Sequence, residues 1–165
     1  MIKSGRLLLL MAVLGIATTG VAHADTLGAG NAAFSRGNYS GAARLLLPLA
    51  ERGNARAQAM VGFMYATGQG LPQAYDAAGY WYRLAAEQGD GTAQYLLGLA
   101  YDKGQGVPQD DVAAYKWLNL AAAHAPKRNR ENFAKLRNAV ASKMSRGQIA
   151  AGQWHSLRWP VASPF

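Results

Sequence analysis

Residues 57–86 read AQAMVGFMYATGQGLPQAYDAAGYWYRLAA, and residues 93–122 read AQYLLGLAYDKGQGVPQDDVAAYKWLNLAA, so the second stretch repeats the first 36 positions later with 15 of 30 residues identical. Chance alone, in so alanine-rich a chain, gives about three identities. A period of this length holds two helices and their turns. Such a unit cannot bury its own apolar face and must stack on a neighbour, so function is expected on a surface that the stacking builds.

Within each copy the elements follow from local chemistry. Gly53-Asn54 and Gly89-Asp90 each pair a residue that tolerates the left-handed conformation past a helix end with a side chain that caps the next helix. A first helix, A, then places Ala57, Val61, Met64 and Tyr65 on one face, matched by Ala93, Leu97, Ala100 and Tyr101. Gly62 and Gly98 weaken these helices by about 1 kcal/mol each relative to alanine, which predicts that another helix approaches closely there. The loops Gly68–Gln73 and Gly104–Gln109 carry GQGLPQ and GQGVPQ, in which the residue before proline is driven to extended geometry and can plug the hairpin. Neither loop supplies the Lys-Ser/Thr or the preceding strand of a phosphate-binding loop. A second helix, B, carries Ala78, Trp81, Ala85 and Gln88, matched by Ala114, Trp117 and Ala121. Tryptophan at helical spacing between alanines predicts core packing.

Upstream, 25–36 predicts a short helix, and 38–52 reads as the second helix of a partial first repeat, entered through a tight turn instead of a GQG loop. Pro48 inside it predicts a kink or an unpaired carbonyl. Downstream of Ala123 the repeat dissolves. Ala125-Pro126 breaks the helix, Asn129 is expected to cap a new one, and Phe133, Leu136, Val140 and Met144 share a face. Ser145–Gln148 is a capping-box pattern for a last helix reaching Arg158, with Ile149, Ala150, Trp154 and Leu157 as its apolar residues. These two helices are expected to form a hairpin that caps the stack.

Residues 1–24 have the pattern of a cleavable secretory signal: Lys3 and Arg6, an apolar run from Leu7 to Ile16, and Ala22-His23-Ala24 before a cut at Asp25. The competing reading, an uncleaved anchor, is opposed by an apolar run of ten residues where spanning takes about 20. The expectation is an exported, periplasmic or secreted protein of 25–165, with repeats over 25–53 (partial), 54–89 and 90–123 and a basic cap over 124–165. The chain has no cysteine, so neither a disulfide nor an N-terminal lipid on cysteine is available. Of the formal charge of +8, the cap holds eight basic residues and one acidic.

The pattern Ala57, Gln58, Gly62, Tyr65, then Gly68, Gly70, Pro72, then Ala77, Ala78, Trp81, and finally Ala85 to Gly89, nearly all of it present again in the next copy, resembles the Sel-one-like repeat. That family is an α/α relative of the tetratricopeptide repeat. The resemblance covers 54–123 and in part 38–53. It implies a right-handed α/α solenoid of about four helical hairpins, serving as an adaptor for protein contact without shared catalytic residues. Some secreted relatives brace each repeat with a cysteine pair, an architecture that this cysteine-free chain lacks.

Catalytic chemistry is poorly supplied. After the signal the chain offers only His124 and His155 as imidazole bases, no ligand cluster has metal spacing, and Asp110-Asp111 fit the start of a helix. No enzyme activity, cofactor, metal or small-molecule substrate is expected, and the protein is expected to be a monomer. Two surfaces remain. The outward residues of the A helices, Arg56, Ala59, Phe63, Thr67, Thr92, Tyr95, Leu99 and Lys103, are the candidate concave surface for a protein or peptide partner; the opposing reading packs Phe63, Tyr95 and Leu99 against flanking repeats. The cap cations Lys127, Arg128, Arg130, Lys135, Arg137, Lys143 and Arg146 form a candidate patch for anionic lipid, cell-wall polymer or an acidic protein, with a solvated face as the alternative. Nucleic acid fits an exported protein poorly.

Overall fold

The computed structural model describes residues 17–159, with side chains from Asp25. The Leu7–Ile16 run and Pro160 lie outside the described residues. Among the described residues eight helices follow one another: α1 (Ala17–Ser35), α2 (Tyr39–Glu51), α3 (Ala55–Thr67), α4 (Tyr75–Glu87), α5 (Gly91–Lys103), α6 (Asp111–His124), α7 (Lys127–Ala141) and α8 (Arg146–Leu157). No strand occurs among the described residues. No helix among them is long and apolar enough to cross a membrane. Helices pair as α1–α2, α3–α4 and α5–α6, and each pair packs on the next through α2–α3 and α4–α5. This is an α/α solenoid.

The repeat boundaries are built as expected. Gly53 and Gly89 adopt φ of 91° and 89°, and the Asn54 and Asp90 side chains accept hydrogen bonds from the Ala57 and Ala93 amides at 2.9 and 2.8 Å. Each capping residue satisfies a donor that the first turn of a helix leaves unpaired. The next residue along, glutamine in both copies, has a structural role that periodicity does not show. Gln58 and Gln94 are buried, and their Nε2 atoms donate to the carbonyls of Ala50 and Ala86 at the end of the preceding helix. They bridge each A helix to the previous unit.

Small residues set the distances between helices. A methyl group at Gly62 would lie 2.6 Å from the Tyr82 ring, and one at Gly98 would lie 2.7 Å from Leu118. The side chain that fills the glycine notch is therefore Tyr82 and not Trp81, which is only half-buried, whereas Trp117 is buried beneath Trp159. The second glycine of each loop, at positive φ, lies against the preceding hairpin: a side chain at Gly70 would meet the Tyr39 carbonyl, and one at Gly106 the Tyr75 carbonyl. Gln73 and Gln109 fasten the loops by donating to the carbonyls of Ala66 and Asp102. Val107 is buried with its side chain beside Gly79 of the preceding hairpin, so it packs toward the neighbouring unit, while Leu71 is half-buried.

Several local expectations give way. Helix α1 is already formed at Ala17, the first described residue, upstream of the expected start at Asp25. At Pro48, in the last turn of α2, the helix runs on and the second of the two expected outcomes is met. The carbonyl deprived of a donor belongs to Arg44, on the exposed side of the helix, where water can serve it. Asn129 does not cap α7; Pro126 occupies the cap position, where its fixed φ and missing N–H suit a helix start, and Asn129 lies in the first turn. The expected α7–α8 hairpin is replaced by two helices that both pack on α6. The capping box of Ser145 and Gln148 forms. Yet α8 turns Gly152 and Ser156 inward and leaves Trp154 and Leu157 outside, because Ile149 and Trp154 fall on opposite sides of a helix.

Candidate functional site

The A-type helices α1, α3 and α5 and the start of α7 line one groove of about 620 Å³. Its apolar lining comes from Phe34, Met60, Phe63, Leu96 and Phe133, each half-buried. Phe34 and Phe63 meet edge to face with centroids 5.9 Å apart. Phe133 stacks on Tyr95 at 4.3 Å. Polar groups stand around these rings: Asn31, Arg56, Thr92, His124, Arg128 and Asn129. Asp90, which caps α5, also lines the groove, and among the described residues Arg56 and Arg128 have no acidic partner, so the groove has an apolar floor and a rim of two arginines and one aspartate.

Of the residues expected on this surface, the groove brings together Arg56, Ala59, Phe63 and Thr92. It does not include Thr67, Tyr95, Leu99 or Lys103. Thr67 and Lys103 are exposed at the far end of their helices, and the Thr67 hydroxyl donates to the Phe63 carbonyl at 2.9 Å. Leu99 is half-buried, and Tyr95 lies under α7, its ring covered by Phe133. The packing alternative therefore describes Tyr95, while Phe63 both packs against its neighbours and faces the groove. Phe34, Phe133, Asn129 and Arg128 reach the groove from outside the two matched copies. The sequence singles out Arg128 as a cap cation, Asn129 as a helix cap and Phe133 by its apolar spacing, but assigns none of them to this groove.

The basic cap is less free than its composition suggests. Lys143 pairs with Asp102 and lies 3.8 Å from Asp111, and the hydrogen bond to Asp102 holds its ammonium above the usual lysine range. Arg137 donates to Asn119 at 3.1 Å and to Asn138, Lys135 pairs with Glu131 at 2.7 Å, and Arg130 donates to the Ala125 carbonyl. Lys127, Arg128 and Arg146 are exposed and without an acidic partner among the described residues. Nearby, burial lowers the Lys116 ammonium, opposed by Glu87, as it lies over the rings of Trp159 and Trp117 at 3.8 and 4.2 Å.

Catalytic groupings are sparse in the same geometry. His124 ends α6 with Nδ1 3.0 Å from the Leu120 carbonyl, and His155 is exposed on α8. Asp110 caps α6 by accepting from the amides of Val112 and Ala113. Among the described residues no three His, Cys, Asp or Glu side chains are grouped to hold a metal. Burial pushes the Tyr82 hydroxyl far above its ordinary range, as befits a ring serving as a packing knob.

A stack of helical hairpins with a lined inner groove defines an α/α repeat protein. Compared with known families, the chain matches the Sel1 repeat over residues 55–90 and 91–125. Among solved structures it is similar to a protective antigen present in uropathogenic Escherichia coli strains that displays an SLR fold, with 25% identity and a TM-score of 0.77 over 87% of this chain and 31% of that one. It is also similar to a Sel1 repeat protein from Oxalobacter formigenes, with 31% identity and a TM-score of 0.60 over 71% of this chain and 91% of that one. The chain thus spans about a third of the length of the first of these structures and most of the second. No curated protein matches the sequence. The chain belongs to the Sel1-repeat family. Proteins of this family are generally scaffolds for protein interaction, and the fold is typically non-catalytic.

Proposed function

We propose that the protein is a non-catalytic interaction adaptor of the bacterial cell envelope, exported by its N-terminal segment, acting as a monomer and holding a segment of a partner protein in the concave groove. The observation that carries this reading is the convergence of Phe34, Phe63 and Phe133, from three helices far apart in sequence, on one half-open groove edged by unpaired Arg56 and Arg128. Apolar side chains left half-covered between polar rims are what an inserted peptide side chain requires. The recurring residues of the repeats support the same division of labour, since the caps, glycines and glutamines are engaged in packing and turns. The basic-patch reading is supported less well, because four of its seven cations already have partners within the chain.

The test is site-specific photocrosslinking in the native envelope. A photoreactive residue at exposed Thr92, in the groove, is expected to give a discrete adduct. One at Tyr80, exposed on α4 and absent from the groove lining, is expected to give none. The Arg56→Glu, Arg128→Glu double variant should weaken the Thr92 adduct while leaving the melting temperature unchanged. Equal adducts from both positions, or an adduct indifferent to the groove variants, would exclude this groove as the binding surface.

A further inference from the structure

Helix α8 packs in an unusual sense. Its inward face consists of Gly152 and Ser156 with half-buried Ile149, and its close approach to α6 is visible in two contacts. A methyl group at Gly152 would lie 2.8 Å from the Tyr115 ring, and the Ser156 hydroxyl donates to the Gly152 carbonyl at 2.9 Å and stands 3.3 Å from the Lys116 carbonyl. Small residues four apart let two helices come together closely. Docking by this face directs the large apolar residues the other way. Ala150, Trp154 and Leu157, spaced by four and three, form an outward ridge on which Trp154 is 56% and Leu157 83% exposed.

The charged residues of α8 and its C-cap, Arg146 and Arg158, are of one sign. Arg158 lies over the Trp154 ring at 5.1 Å, Arg146 is exposed at the other end of α8, and from Asn132 to Phe165 the sequence has no aspartate or glutamate. Two projecting side chains are a small contact for a stable protein interface, which takes about 800 Å² from each partner. They suit a lipid surface better: tryptophan and leucine enter the boundary between headgroups and acyl chains, and arginine stays at the anionic headgroups.

We propose that the outward face of α8, with Trp154 and Leu157 as the inserting residues and Arg146 and Arg158 as headgroup contacts, docks the protein on an anionic phospholipid surface. This leaves the concave groove free for its own occupant, and it does not depend on the groove reading.

The experiment is co-sedimentation of the full chain with vesicles of phosphatidylcholine and phosphatidylglycerol in equal parts, against vesicles of phosphatidylcholine alone. Binding is expected to the anionic vesicles, with a blue shift of tryptophan emission that Trp154→Phe removes without releasing the protein. The Trp154→Glu, Leu157→Glu double variant should bind at least about tenfold more weakly, since it loses apolar insertion and gains repulsion. Both side chains are exposed, so its far-UV circular dichroism and melting temperature should match the parent. Equal binding to both vesicle types, or undiminished binding by the double variant, overturns the proposal. So does a concentration-dependent dimer that the double variant abolishes in the absence of vesicle binding, which would assign the ridge to a second copy of the chain.

Discussion

The two matched repeats differ most where the second meets the end of the stack. At Gly79, in the first copy, a methyl group would lie 2.9 Å from the Gly106 carbonyl, because the loop of the next repeat rests there. Thirty-six positions on stands Tyr115. No further GQG loop follows, and the ring occupies that space and receives Gly152 of α8. The same holds elsewhere: Ala59 becomes Tyr95, which stacks on Phe133; Ala66 becomes Asp102, which pairs with Lys143; Arg83 becomes Asn119, which accepts from Arg137. Where the copies agree, the residues build a repeat. At these four positions of disagreement, the second copy is shaped to fit the two closing helices.

One difference has the opposite character. Gln88 of the first copy donates to the Gln58 Oε1 atom at 2.7 Å, so the buried glutamine is paired at both ends of its amide. Position 124 holds histidine, bonded at Leu120, and the Gln94 Oε1 atom is left buried without a partner. Leaving a buried acceptor unpaired costs about 1–3 kcal/mol.

The sharpest break in this comparison should come from Tyr115→Ala. Removing a buried aromatic ring costs about 3 kcal/mol or more, against about 1–2 kcal/mol for overpacking the corresponding place with Gly79→Ala. Chemical denaturation reads the two values, and hydrogen exchange should rise over 146–157 in the first variant and over 104–109 in the second. A reversed order would mean that α8 is held mainly by other contacts.

A smaller effect tests the unpaired glutamine. His124→Gln should restore the bond of the first copy and stabilise the fold by about 1 kcal/mol. Gln88→Leu should cost about as much, since it leaves Gln58 in the condition of Gln94. If the melting temperature of His124→Gln does not rise, the Gln94 amide is already served by water.

The smallest effect concerns the ion pair joining the second copy to the cap. The Lys143 pKa is raised in the folded state by Asp102, so the pair stabilises the fold below the ordinary lysine pKa. That contribution disappears as pH rises through the elevated folded value. Asp102→Ala, which restores the residue of the first copy, should lower the melting temperature slightly at neutral pH, and the gap to the parent should close in strongly alkaline solution. A gap that persists there would show that Asp102 acts through something other than its charge.

Much of the fold was legible because a repeat is written in short-range chemistry. Asn54 and Asp90 cap the helices they precede and Ser145 with Gln148 forms its box, each within a few residues of its signal, while Gly62 and Gly98 admit a side chain from the second helix of the same hairpin. The errors arose where several partners compete for a face. Both Trp81 and Tyr82 suit a core, and only the position of Gly62 decides between them. Trp154 and Leu157 look like core residues of an amphipathic helix until Gly152 and Ser156 are seen to allow the closer approach.

The candidate site was half legible for the same reason. Arg56, Phe63 and Thr92 could be placed because the repeat period aligns α3 with α5. Phe34, Arg128 and Phe133 could not, because nothing in their local sequence states that α1 and α7 border the same groove. The sequence by itself determined a stack of helical hairpins, its caps, its turns and its notches, all of which depend on neighbours within one period. Tertiary structure alone decided which residues close the groove, which cations remain unpaired and which way α8 faces, since these depend on how the last unit ends where no further repeat follows.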